Sequence, residues 1–141
     1  MKTGRLNDDE RRRIREAFES VPFVHLLGIE LGEVEARGEA TLHLTMRDAL
    51  RQNRGVAHGG VTASLIDTAA AFAILPMLEP AQSTTTIDLT IHYLRPLLKG
   101  RATAQARVLR AGRRLLVASV EVLDEEGNLV ATALTSYLRL A

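Results

Sequence analysis

The chain has 141 residues, 46% of them hydrophobic and 25% charged, with a formal net charge of +1 and no cysteine. That balance describes a single folded domain, excludes a disordered chain and leaves no general basic field for nucleic acid. Without cysteine, disulfides, thiolate catalysis and Cys-based zinc sites are excluded, and a reducing, cytoplasmic setting is expected.

The N-terminal run MKTGRLNDDERRRIREAF lacks the apolar core of a signal peptide. Asn7 reads as a helix N-cap with Asp8, Asp9 and Glu10 in the first turn. Ile14, Phe18 and Val21 follow at helical spacing, and Pro22 is expected to end the helix, making 1–22 an N-terminal helical segment. Arg11, Arg12, Arg13 and Arg15 cluster here, but Asp8, Asp9, Glu10, Glu16 and Glu19 nearly neutralise them, so the run reads as a solvated helix face. Two strands are predicted at 28–36 and 38–46, turning at Arg37-Gly38, with Ala40, Leu42, Leu44 and Met46 alternating against Thr41, His43 and Thr45. A polar loop at 48–54 leads into a helix over 59–75, ended by Pro76 and Pro80; with Asp67 and Pro76 interrupting it, this apolar run reads as too short for a membrane span.

The rest is strands. Residues 84–94 place Ile87, Leu89, Ile91 and Tyr93 on one face, and 101–109 do the same with Ala102, Ala104, Ala106 and Val108. Strands at 115–123 and 129–140 are joined by DEEGN, with Gly127 available for positive φ. The expected class is α+β: one domain over 1–141, with five or six mostly antiparallel strands curled around one long apolar helix.

The informative stretch is QNRGVAHGGVTASLIDTAAAFAILP, residues 52–76. Its one carboxylate, Asp67, stands among Leu65, Ile66, Ala69, Ala70 and Phe72, where burial without a partner would cost several kcal/mol. Such an acid serves as nucleophile or as general base toward water, or else it is a core acid bonded to backbone. His58, Gly59 and Gly60 begin the helix, so their N–H groups lack intrahelical partners and carry the positive end of the dipole. One preorganised donor of this kind stabilises a developing oxyanion by roughly 3 to 4 kcal/mol, although the same residues also read as a plain helix-start turn. Gly59 and Asp67 are eight residues apart, about 12 Å along a helix, too far to hold one carbonyl carbon. Two copies with these helices antiparallel would bring Gly59 of one to Asp67 of the other, which predicts an obligate homodimer with the site formed twice. Gly60, Ala63, Ala70 and Ala71 are expected on the same face as Asp67.

With these residues in hand, the sequence from about Phe23 to its end resembles the hotdog-fold acyl-CoA thioesterases, specifically the PaaI-like group of the 4-hydroxybenzoyl-CoA thioesterase superfamily. The resemblance rests on GxxHGGxxxxLxD, here Gly55, His58, Gly59, Gly60, Leu65 and Asp67, and on Tyr93-Leu94-Arg95-Pro96 followed by Gly100. It implies an antiparallel sheet around a central helix, homodimers pairing into homotetramers, and hydrolysis of an acyl-CoA to free acid and coenzyme A, with no cofactor beyond the substrate's own coenzyme A. By position, Asp67 is similar to the family's catalytic carboxylate, and Gly59 to the residue whose N–H polarises the thioester carbonyl. Gln52 stands where relatives carry an Asn or Gln that orients water or thioester, with Asn53 beside it leaving the register open. Thr86 stands where some relatives carry a hydroxyl that positions water, and Ala71 replaces the Ser or Thr of some aryl-CoA relatives. His58 reads as a brace for the turn. The substrate phosphates require cations, and the candidates are Arg54, Arg95, Lys99, Arg113 and Arg114.

His25, His43 and His92 have no second ligand at metal spacing, so no metal site is expected. No GxSxG surrounds a serine and Ser64 has no His partner in sequence, which argues against a serine hydrolase. Competing readings are a hotdog hydratase or dehydratase, and a non-catalytic acyl-CoA-binding protein; about 20 residues precede the resemblance, too few for a helix-turn-helix domain. Phe23, Phe72 and Tyr93 are candidates to line an aryl pocket for phenylacetyl or hydroxybenzoyl groups, and a medium-chain aliphatic group fits equally.

Overall fold

The computed structural model describes residues 4–141; residues 1–3 of the expected N-terminal segment lie outside the described residues. Asn7 Oδ1 accepts the Glu10 N–H at 2.8 Å while the Glu10 carboxylate accepts the Asn7 N–H at 3.0 Å, a reciprocal cap that starts α1 (Asp8–Glu19). Ile14 and Phe18 are buried, and Phe18 meets Phe72 edge-on at 5.5 Å. Pro22 does not end α1, which stops at Glu19; it opens a second helix, α2 (Pro22–Leu27). A proline suits a first turn, where its missing N–H has no intrahelical use.

Six strands follow: β1 (Ile29–Glu35), β2 (Glu39–Thr45), β3 (Ser83–Tyr93), β4 (Arg101–Ala111), β5 (Leu115–Leu123) and β6 (Leu129–Leu140). They form one antiparallel sheet in the order β1-β2-β4-β5-β6-β3. Its concave face wraps α3 (Gly59–Ile74), which a 3-10 turn at Leu75–Met77 prolongs. Leu42, Leu44, Ala102, Ala104, Val120 and Val122 from the sheet meet Leu65, Ile66, Ala69 and Ala73 from α3, none more than 1% exposed. Alanines on both sides let helix and sheet approach closely, while each buried Leu or Ile contributes about 1.5–3 kcal/mol. The expectation that Asp67 and Pro76 leave this run too short for a membrane span is corrected, because Gly59–Met77 is long and apolar enough by length and composition. In this fold that apolarity faces the sheet.

Two features position the site. At the C-terminal end of α3, the carbonyls of Met77, Leu78 and Glu79 accept from Arg139 Nη1 (3.0 Å), Arg13 Nη1 (3.1 Å) and Arg13 Nη2 (3.3 Å), placing cations at the negative end of the helix dipole. At the sheet's edge, β3 pairs among the described residues only with β6, and a bulge falls between Thr86 and Asp88. The expected alternation of Ile87 with Leu89, Ile91 and Tyr93 therefore breaks. Ile87 is the extra residue, 53% exposed, and Thr86 takes the inward place opposite Tyr137.

Candidate active site

The loop from Arg51 to His58 is laced to the segment before β4. Arg51 Nη1 donates to the Leu98 carbonyl at 2.6 Å, the Ala57 N–H donates to Leu97 at 2.8 Å, and the His58 N–H donates to Leu50 at 2.9 Å. Gln52 folds onto its own turn, its N–H bonding Val56 and its amide oxygen accepting the Arg54 N–H. Asn53 and Arg54 are exposed beside it. His58 is the N-cap of α3, and its Nδ1 accepts the Gly60 N–H at 2.9 Å. Its carbonyl accepts the Val61 N–H at 2.9 Å. Among the described residues the Gly59 N–H has no acceptor, so a donor at the positive end of the helix stays available. The Tyr93 hydroxyl donates to the Gly59 carbonyl at 2.6 Å, holding this first turn from the sheet side, and burial pushes its phenol up from the ordinary value.

Asp67 is half-buried, which corrects the expectation of a deep acid: α3 leaves one face, with Ala63, Ser64, Asp67, Thr68 and Ala71, uncovered by its own sheet. Gly60 is exposed one turn earlier, but Ala70, expected on this face, is fully buried in the core. The Thr86 hydroxyl donates to Asp67 Oδ1 at 2.8 Å, and the Tyr137 hydroxyl lies 2.6 Å from the same oxygen and 2.6 Å from the Asp67 carbonyl. Tyr137 is 3% exposed. Burial first, then the charge of Asp67, push its phenol far above its ordinary value, so it remains a neutral donor. Asp67 Oδ2 has no partner among the described residues. One oxygen is thus fixed by two hydroxyls, and the other faces the open side as acceptor, base or nucleophile.

Thr86, expected to position water, bonds Asp67 itself, and Tyr137, seventy positions from Asp67, was not among the expected site residues. A signal existed: a phenol at an inward position of β6 requires a hydrogen-bond partner, and Asp67 offered one. Ser64 and Thr68 hydroxyls bond back to the Gly60 and Ser64 carbonyls of their own helix. Phe72 packs in the core against Phe18, whereas Phe23 is exposed on α2. Beside Gly59 opens a hollow of about 350 Å³ lined by Val56, Thr62, Tyr93, Arg95, Leu97 and Val130. Arg54 and Lys99 are exposed on the two laced segments at this end. Arg113 lines a separate hollow at the opposite end of α3, with Met77, Gln82 and Arg139, and Arg114 is exposed next to it.

The family model of the Thioesterase superfamily matches residues 54–131. The medium/long-chain acyl-CoA thioesterase YigI of Escherichia coli K12 is 33% identical over 133 residues, spanning 84% of this chain and 85% of that protein. Among solved structures, the conserved protein PA5202 of Pseudomonas aeruginosa matches with a TM-score of 0.83 at 32% identity, over 89% of this chain and 98% of that one. The E. coli PaaI protein from the phenylacetic acid degradation operon matches with a TM-score of 0.88 at 25% identity, over 96% of each chain. The chain belongs to the thioesterase superfamily. It is a PaaI-like thioester hydrolase of the hotdog fold.

Proposed function

We propose that the protein hydrolyses an acyl-CoA to a free acid and coenzyme A at a site shared by two subunits, with no cofactor, in the cytoplasm. The observation that carries this reading is the pair of free groups on one face of α3: the Gly59 N–H at its start and Asp67 Oδ2 about 12 Å along it. A twofold axis near Ala63, with the two helices antiparallel, brings each Gly59 to the other subunit's Asp67. The small residues Ala63, Ser64 and Ala71 on this face and the unpaired outer edge of β3, with Leu89 and Ile91 half-exposed, support such a pairing. The exposed Leu109, Leu115 and Leu134 support a further pairing of dimers into a tetramer.

In this arrangement the thioester oxygen accepts the Gly59 N–H. Asp67 Oδ2 then attacks the carbonyl carbon, or takes a proton from a water that attacks it. The C=O pair moves to oxygen as the new bond forms, and its return expels the thiolate, which leaves as the free thiol with the proton that Asp67 took from water or, on the nucleophile route, with one from solvent. On the nucleophile route, water then cleaves the resulting anhydride. Arg54, Arg95 and Lys99 approach the substrate phosphates from the Gly59 end, with Gln52 and Asn53 in the same loop. Arg113 and Arg114 reach that mouth from the second subunit, because antiparallel helices bring its α3 C-terminal end there.

Asp67→Asn keeps the size and the hydroxyl contacts and removes the charge, so thiol release from a good acyl-CoA falls about 10²- to 10⁴-fold. Undiminished thiol release by a folded variant would overturn the reading. Hydration or dehydration of the acyl group would release no thiol, and a binding-only protein would turn over no member of a panel of aryl and aliphatic acyl-CoAs. The same panel identifies the acyl group.

A further inference from the structure

We infer that Tyr137 is a positioning residue that, together with Thr86, pins one oxygen of Asp67 and leaves the other free to react; this rests on the reading of Asp67 as the reacting carboxylate. A carboxylate turns over a broad, two-fold torsion, so an unrestrained Asp67 would offer either oxygen. Here Tyr137 and Thr86 come from different strands, β6 and β3, and converge on Oδ1 at 2.6 and 2.8 Å. Half a turn of the carboxylate would merely exchange the oxygens, so the two hydroxyls define one pinned oxygen and one free oxygen.

The β3 bulge is what brings Thr86 into this position, opposite Tyr137. Tyr137 is also 2.6 Å from the Asp67 carbonyl, so its single O–H proton is shared between the side-chain and backbone oxygens of the same residue. Among the described residues, Thr86 and Tyr137 are the two side chains hydrogen-bonded to this carboxylate. Asp88 and His92 on β3 pair with Ser136 and Thr132 on the outer side of the sheet, and Tyr93 bonds Gly59 near the start of the helix. Among the described residues, Tyr137 is therefore the titratable side chain bonded to this carboxylate.

Tyr137→Phe keeps the ring and removes one of the two donors to Oδ1, leaving Thr86 in place. The expected result is a kcat about 10-fold lower with KM little changed. Ring-fluorinated tyrosines at 137 keep nearly the same size and grade the strength of the donated O–H, so kcat is expected to change along the series, which covers the case in which Tyr137→Phe folds poorly. A residue that only packed the core would leave kcat flat along that series and unchanged in folded Tyr137→Phe.

The two readings fail separately. If Asp67→Asn is inactive while neither change at 137 alters kcat, the role of Tyr137 is wrong and the catalytic carboxylate stands. If Asp67→Asn retains full turnover, the parent reading fails and takes this one with it.

Discussion

Gly59 is the first residue of α3, and that location permits a substitution that removes its N–H without removing the helix. Proline is pre-organised for a first helical position, and the residue before it prefers an extended ψ. His58 already has φ −60° and ψ 135°. A Cβ at Gly59 would meet the Tyr93 ring at 3.4 Å, an ordinary contact. Gly59→Pro is therefore expected to fold, to keep Asp67, Thr86 and Tyr137 in place, and to lose about 10²- to 10³-fold in kcat through loss of the proposed oxyanion donor. A folded variant with unchanged kcat would remove Gly59 from the chemistry. At this scale the sequence was readable where a residue was chemically out of place, as Asp67 is in an apolar helix and the glycines are at its start. Tyr137 escaped because strand periodicity treats an inward aromatic as packing, and nothing local tells a phenol that fills space from one that bonds an acid. Thr86 was reached through family resemblance, since its own pattern assigned the inward place to Ile87.

Elements were legible wherever periodicity and turn chemistry agreed, and they failed where an extra residue or a permissive turn intervened. The β5–β6 hairpin is the first kind: Gly127 takes φ +85°, and the Asp124 carboxylate accepts from the Glu126 N–H at 3.0 Å and the Asn128 N–H at 2.9 Å. The Asn128 backbone bond, outweighing partial desolvation, holds Asp124 below the ordinary carboxylate range. A carboxyl group depressed in the folded state contributes stability that is present above its unfolded value and is lost as pH falls through its folded value. Asp124→Ala should therefore lower the melting temperature near neutral pH, with the gap to wild type closing under acid conditions. A gap that persists there would show that the turn depends on something other than the ionised carboxylate. The β3 bulge and the Pro22 helix are the second kind. One inserted residue re-aims a strand without altering its composition, and proline stops one helix as readily as it begins another.

For the whole molecule, the six-stranded sheet around α3 follows from apolar alternation, and its core is nearly closed on the sheet side. What a single chain leaves open is the other side of α3, where Asp67 lies, and the outer edge of β3 next to it. The proposal that two subunits share the site rests on helix geometry, because eight residues of α-helix separate Gly59 from Asp67 by more than one carbonyl can span. The substrate's acyl group was not legible, since the aromatic candidates divide between core packing and exposed surface. The most direct measurement of a shared site mixes Asp67→Asn subunits with Gly59→Pro subunits, each homodimer being nearly inactive alone. Random reassortment makes about half the dimers mixed, each with one intact Gly59–Asp67 pair, and should restore about a quarter of wild-type thiol release. Demonstrated mixed dimers with no recovery above the parents would contradict the account.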